Sequence, residues 1–230
     1  MQDISCRVII PALNEEQSIA KVINDIPNGM VSEVVVVDNG STDNTVAVAK
    51  AAGATVLQEP LRGYGAACLR GIDYVKATSP ATDIIVFLDA DYSDHPEELP
   101  AVIAPIIRDN MDMVIGSRAL GNSEKGSLTP VQAFGNWLSA KLLRLLYKAR
   151  FTDLGPFRAI KFAQLLALDM QDKNYGWTVE MQVKAAKNNL AFTEVPVKYR
   201  HRIGRSKVSG TVKGSILAGY KILYTIFKYT

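Results

Sequence analysis

Asp89 and Asp91 stand two positions apart, directly after the apolar run Ile84-Ile85-Val86-Phe87-Leu88. Two carboxylates so spaced at the end of a buried strand suit one hard cation. Mg2+ and Mn2+ take a few carboxylate oxygens together with phosphate oxygens and water. A cation held there would bridge to a diphosphate and neutralise charge growing on a leaving group. Ser93, two positions further, adds an oxygen or a water-mediated contact, so the metal set read from the spacing is Asp89, Asp91 and Ser93. Asp-x-Asp also occurs in plain turns. On that competing reading the acids cap the helix near Pro96, and Asp94 is placed to be the cap.

Three further segments carry polar groups at the ends of apolar runs. Asp38-Asn39-Gly40-Ser41-Thr42-Asp43 offers a carboxylate to a base or ribose, or is turn chemistry with Ser41 or Thr42 capping the next helix. Pro11-Ala12-Leu13-Asn14-Glu15 is open to the same two readings. Gly63-Tyr64-Gly65 opens a helix, yet completes neither Gly-x-Gly-x-x-Gly after the first strand nor a Gly-Lys-Ser/Thr ending. Its glycines read as backbone clearance at the rim of a site, or as loop geometry. His95 and His201 lack metal-ligand spacing.

The elements that must position these groups follow from periodicity. Apolar runs at 7–10, 34–37, 54–57, 84–88 and 113–115 read as strands, and helical spacing at 16–26, 43–52, 65–76 and 96–108 separates them. Continuous apolar strands alternating with helices predict an α/β protein: a Rossmann-like, mostly parallel sheet covered on both faces. Ligands bind such sheets beyond the carboxyl ends of the strands, so Asn14-Glu15, Asp38 and Asp89-Ala90-Asp91 are expected around one crevice. The C-terminal half predicts helices at 129–148, 176–187 and 212–228, a strand at 191–199 and a turn-rich loop at 153–158. No linker divides the chain, so residues 1–230 read as one domain, with a first half at 1–118 and a C-terminal elaboration with amphipathic helices at 119–230.

The 230 residues are 48% hydrophobic, enough for a sizeable core and against a disordered chain. Cys6 and Cys68 lie far apart in apolar segments and read as buried free thiols. No leader-like start is visible, which points to the cytoplasm. From Met181 to Thr230 there are ten Lys/Arg and one acid, Glu194, so the C-terminal face is basic and suits an anionic partner or membrane surface. No stretch is long enough to span a bilayer. On a helical wheel of 212–228, Lys213, Lys221 and Lys228 share one arc and Val212, Ile216, Leu223, Ile226 and Phe227 the opposite side. Such a helix either lies on an anionic membrane or packs on the sheet with its lysines outward.

Taken in order, these segments resemble the family 2 glycosyltransferases of the GT-A fold, and are most similar to the dolichyl- and polyprenyl-phosphate mannose and glucose synthases. The resemblance is carried by 8–16, 36–43, 88–91 and Gly116-Ser117-Arg118, continues through Gly155-Pro156-Phe157-Arg158-Ala159, and returns at Glu194-Val195-Pro196-Val197 and Arg202-Ile203-Gly204-Arg205-Ser206-Lys207. It implies that Pro11, Ala12, Asn14, Glu15, Asp38, Gly63 and Ala90 line the nucleotide-sugar pocket, and that Asp89 and Asp91 hold the donor diphosphate through Mg2+ or Mn2+. It also implies that Arg118, Arg158, Arg202, Ser206 and Lys207 meet phosphate on the acceptor side, for which guanidinium groups are well shaped. The chain departs from the family at Ser93-Asp94-His95-Pro96, where many members have Gln-His-Pro, and at 153–158, where many have Thr-Ser-Gly-Phe-Arg. The third metal contact, the sugar and the acceptor are therefore open.

The implied reaction is inverting transfer of a hexose from a UDP- or GDP-linked sugar to an acceptor, expected to be a polyprenyl or dolichyl phosphate. A lipid phosphate oxygen is already anionic and needs no base, leaving positioning and electrostatics. A hydroxyl acceptor needs one, with Asp153 and Glu180 as candidates. The rivals are a family 2 enzyme acting on a soluble or saccharide hydroxyl and a non-enzymatic nucleotide-binding module. A nucleotidyltransferase would carry a Gly- and Arg-rich loop after the first strand, which Pro11-Ala12-Leu13-Asn14-Glu15 is not. There is no Gln-x-x-Arg-Trp signature of processive synthases, and nothing points to nucleic acid.

Overall fold

The computed structural model describes residues 4–204 and 212–230. Its strands are β1 (Cys6–Ala12), β2 (Glu33–Asp38), β3 (Thr55–Gln58), β4 (Ile84–Phe87), β5 (Met113–Ser117), β6 (Arg158–Lys161) and β7 (Phe192–Pro196). They form one seven-stranded sheet in the order β3-β2-β1-β4-β6-β5-β7. β1 pairs in parallel with β2 and β4, β2 with β3, and β5 with β7. β6 alone runs antiparallel, between β4 and β5. The mostly parallel sheet is as periodicity predicts, and β6 is the departure from it. Only four residues long and charged at both ends, β6 shows no apolar run for a sequence reading to find. Sheet strands come from both sides of residue 118.

The apolar runs work because alternate residues feed opposite faces. Ile9, Val35, Val37, Ile85 and Phe87 join one core, covered by α3 (Tyr64–Thr78), α6 (Phe162–Ala167) and α7 (Trp177–Lys187). Val8, Ile10, Val36, Ile84 and Val86 join the other, under α1 (Ile19–Asn24), α2 (Thr45–Ala51) and α4 (Leu99–Arg108). The free thiols Cys6 and Cys68 are buried, one in each core.

Element boundaries moved where polar side chains found tertiary partners. α1 starts at Ile19, later than the pattern from residue 16, because the Glu16 carboxylate accepts instead from Asn44 N and Nδ2. The segment from Pro96 divides into a 3-10 turn (Pro96–Glu98) and α4, and the position before the turn is His95 with no side-chain cap bond. Asp94 is therefore not the cap expected of it. Nor do Ser41 or Thr42 cap α2, whose N-cap is Asn44. By contrast α5 (Pro130–Tyr147) begins where read, with a complete capping box between Thr129 and Gln132.

α8 (Val212–Lys228) docks by a narrow stripe. Thr225 and Ile226 are buried, and the Tyr147 hydroxyl of α5 donates to the Ile226 carbonyl. Leu223 is half-buried, while two other residues of the anticipated apolar face are not covered: Ile216 is 65% and Phe227 54% exposed, with Tyr220 67% exposed between them. α5 behaves alike, leaving Phe134 62% and Trp137 54% exposed. Among the described residues no helix is long and apolar enough to cross a membrane.

At the start of α3 the chain is in near contact with 172–174. A Cβ on Gly65 would lie 1.9 Å from the Asp172 carbonyl oxygen, and one on Gly63 (φ +150) 2.0 Å from that of Lys173. Glycine-to-alanine inside a helix ordinarily gains up to about 1 kcal/mol. Here the sign should reverse: Gly65→Ala is expected to lose about 1–3 kcal/mol by overpacking, read as a lower thermal midpoint. A rise would mean that the two segments can separate freely.

Candidate active site

The crevice lies at the carboxyl ends of β1, β2, β4 and β5. After β1, Asn14 adopts a left-handed conformation (φ 52), and its Oδ1 accepts from Thr42 N at 2.7 Å while its own N donates to Ser41 Oγ at 2.9 Å. Glu15 follows, 8% exposed, with Oε2 accepting from Ser18 Oγ at 3.0 Å. Asp38 ends β2 and accepts from the N–H groups of Gly40 and Ser41, so its loop is an Asx-type turn. Asn39, passed over in the sequence as a turn residue, ties three strand ends together. Its N donates to Ala12 O, its Nδ2 to the carbonyls of Glu59 and Leu61, and its Oδ1 accepts from Gly63 N.

Asp89 and Asp91 sit just beyond β4. Asp89 Oδ1 accepts from the Tyr64 hydroxyl at 3.1 Å. Burial, and then the neighbouring Asp91 carboxylate, push Asp89 up to about 7. Tyr92 takes a left-handed conformation (φ 65), unusual for a bulky residue, and the chain turns back so that Ser93 N and Oγ donate to Asp91 Oδ1 at 2.9 and 2.6 Å. Ser93 thus orients Asp91. Asp91 Oδ2 faces Arg202 Nη1 at 2.9 Å, and Arg202 Nη2 donates to Glu15 Oε1 at 2.8 Å, from a residue 187 positions away.

Arg202 reaches the pair because its segment is laid along the Asp-x-Asp turn. Arg200 N donates to Ser93 O and Ile203 N to Asp91 O, both at 2.9 Å. The Arg200 guanidinium bonds the carbonyls of Tyr92 and Asp94 and lies 3.4 Å from the Tyr92 ring centroid. Arg200 belongs to the site architecture, and no local motif marked it.

Beyond β5, Arg118 makes a bidentate pair with Asp153, Nε to Oδ2 at 2.8 Å and Nη2 to Oδ1 at 2.7 Å, and lies over the Tyr199 ring. Burial opposes the charge on Arg118 but Asp153 more than offsets it, raising the guanidinium above its ordinary value. Burial likewise works against the Asp153 carboxylate, and Arg118 outweighs it, holding the group below the usual range.

Several expectations change with this geometry. Arg158, expected on acceptor phosphate, is fully buried with its guanidinium on the carbonyls of Leu154, Gly155 and Thr178, and burial pulls it down to about 10. Every described bond of its guanidinium is to main chain, so it supports the 154–155 turn from inside. Gly63's missing side chain makes room for the Lys173 carbonyl. Asp153 is engaged by Arg118 and so is a poor base. Glu180 is buried away from the crevice, accepting from Gln171 N, Asp172 N and the Tyr229 hydroxyl. Ser206 and Lys207 lie outside the described residues.

Chemically, the crevice gathers Glu15, Asp89, Asp91, Asp94 and Asp153 with the guanidiniums of Arg118, Arg200 and Arg202, and the strain between Asp89 and Asp91, which raises Asp89, is of the kind a divalent cation relieves. Among the described residues no three His, Cys, Asp or Glu side chains form a ligand set by themselves. A cation on Asp89 and Asp91 would therefore complete its shell with water and phosphate oxygens, as Mg2+ and Mn2+ do.

Known proteins share this architecture. The family model for glycosyl transferase family 2 matches residues 7–166. A Mycobacterium tuberculosis (strain H37Rv) protein described as an uncharacterized glycosyltransferase is 37% identical over 213 residues, 92% of this chain and 93% of its own. The UDP-N-acetylglucosamine–dolichyl-phosphate N-acetylglucosaminyltransferase of Methanococcus voltae is 30% identical, over 98% of this chain and 96% of its own. The undecaprenyl-phosphate mannosyltransferase of Micrococcus luteus is 28% identical, over 90% and 88%. Among solved structures, glucosyl-3-phosphoglycerate synthase from M. tuberculosis, in complex with Mn2+, UDP and glucosyl-3-phosphoglycerate, superposes with a TM-score of 0.76 at 25% identity, covering 98% of this chain and 80% of that one.

The Arg118–Asp153 pair is almost wholly buried, with side chains 13% and 1% exposed. Breaking such a pair from one side leaves an uncompensated charge and costs about 3–5 kcal/mol. Asp153→Ala is expected to lose that much in urea denaturation, and a loss under about 1 kcal/mol would show the pair to be no better than an exposed one. Because the Asp153 carboxyl is held below its ordinary value, the stabilisation is present above the ordinary carboxylate range and is lost as pH falls through the lowered value.

Proposed function

Because the chain belongs to glycosyl transferase family 2, and so is a GT-A glycosyltransferase that uses a nucleotide sugar, we propose that it transfers a hexose, mannose or glucose, with inversion to a polyprenyl or dolichyl phosphate. Residues 1–118 supply the donor side and residues 119–230 the acceptor side. Asn14, Glu15 and Asp38, with Pro11, Ala12 and Ala90, line the nucleotide-sugar pocket. Asp89 and Asp91, the latter oriented by Ser93, hold Mg2+ or Mn2+, which when bound supplies charge neutralisation for the departing diphosphate. Arg202 leaves Asp91 to meet phosphate, and Arg118 orders the acceptor side through Asp153.

The observation that carries the lipid reading is the outer face of α5 and α8. On α8, Ile216, Tyr220, Tyr224 and Phe227 form an exposed stripe at helical spacing, and α5 exposes Val131, Phe134 and Trp137 beside Lys141 and Arg144. Neither helix contains an acid. Exposed aromatic and aliphatic groups interleaved with cations suit the surface of an anionic membrane, where a lipid phosphate would be met. A phosphate acceptor brings its own anionic oxygen, which agrees with the engagement of Asp153 and Glu180 elsewhere. The second reading is a soluble phosphorylated acceptor, favoured by the likeness to a phosphoglycerate glucosyltransferase.

Calorimetric titration of UDP- and GDP-linked mannose and glucose, with and without Mn2+, tests the donor site. Binding should require metal and be lost in Asp91→Ala; binding indifferent to both would sink it. Sedimentation with phosphatidylglycerol vesicles tests the acceptor side. The Tyr220→Ser/Phe227→Ser double variant should partition at least about tenfold more weakly, since burying one such side chain is worth about 1.5–3 kcal/mol. Equal partition, or transfer to phosphoglycerate without lipid, would favour the soluble acceptor.

A further inference from the structure

We propose that Asp94 is a positioning residue of the donor site, whose buried carboxylate accepts a hydrogen bond from water on the divalent cation at Asp89 and Asp91. The proposal rests on the reading of those two aspartates as the cation-holding pair. Asp94 is 2% exposed, and neither of its carboxylate oxygens has a hydrogen-bond partner. The nearby acids all have donors: Asp38 from Gly40 and Ser41, Asp91 from Ser93, Asp153 from Arg118. An unpaired carboxyl out of water is costly to a folded chain, and a ligand of this crevice that brings a donor would relieve that cost.

Its direction narrows what that donor is. Asp94 is fixed by its main chain, whose carbonyl accepts from Arg200 Nη2 at 2.9 Å and which bridges to Tyr199. Asp89, Arg118 and Asp91 are the charged groups that act on its carboxyl. It caps no helix. Ser93, the other residue next to the pair, already spends both donors on Asp91. Mg2+ and Mn2+ keep several waters when only one or two carboxylates bind them, and the metal polarises those waters into strong donors. Residues that accept from a metal's own ligands fix the site's geometry and are commonly worth about 10–100-fold in affinity.

The test is Mn2+ binding, followed by electron paramagnetic resonance of the free ion with Mn2+ alone and with UDP, alongside the thermal midpoint of the metal-free protein. Wild type, Asp91→Ala, Asp94→Asn and Asp94→Ala are compared, two variants at Asp94 so that poor folding of one does not decide the outcome. Removing an orphaned carboxylate should leave the metal-free midpoint unchanged or raised, while Mn2+ affinity falls about 10–100-fold. Unchanged affinity in both Asp94 variants, or weakening matched by a fall in the metal-free midpoint, overturns the assignment. Absence of Mn2+ binding in wild type would instead overturn the reading of the Asp89–Asp91 pair itself, and this proposal with it. Binding that needs Asp91 but ignores Asp94 overturns the Asp94 role alone.

Discussion

Carboxylates crowded at one edge of a buried sheet repel one another, and the organisation of this crevice follows from how that repulsion is met. Asp89 is pushed up to about 7 by burial and then by Asp91, so the pair cannot comfortably carry two charges alone. The protein answers with guanidiniums from distant parts of the chain. Arg202 spans Asp91 and Glu15, and Arg118 closes on Asp153. Two oxygens of one carboxylate are thereby given different neighbours, Ser93 on one side of Asp91 and Arg202 on the other. Of the two guanidiniums Arg202 is the more open, its side chain 26% exposed against 13% for Arg118.

The antiparallel strand β6 lets the two halves of the site meet. By entering between β4 and β5 it brings the 153–157 turn back beside the end of β5, where Gly116 N donates to Phe157 O. Asp153 is then within reach of Arg118. The turn itself is supported from below by Arg158, a buried cation whose partners are main-chain carbonyls. A charge placed so deep is expensive, and here it ties the carbonyls of Leu154 and Gly155 to that of Thr178.

The opposite economy holds on the outside of α5 and α8. Their inward stripes are short, Leu143 and Ser139 on one, Thr225 and Ile226 on the other. Ile216 and Phe227, on the apolar arc of α8, therefore remain on the surface. A wheel reports angle around an axis, and how wide an arc becomes buried depends on what the helix packs against.

What the sequence determined by itself was of short range. The apolar runs at 7–10, 34–37 and 84–88 had to be central strands, the capping box at Thr129 had to start a helix, and Asp89-Ala90-Asp91 had to fall past a strand end. These follow from side-chain alternation and from contacts three or four residues apart. Tertiary structure alone decided the rest. β6 exists because two neighbours offered it hydrogen bonds, not because of its own pattern. Asp94 left its expected place at a helix start for the interior beside Asp89. Arg158 went inward and Arg200 onto the Tyr92 ring, although nothing in their local sequence distinguishes them from Arg202. Charges choose partners by distance in space, and chain closure brings Glu15 to Arg202 across 187 residues, a separation no local pattern encodes.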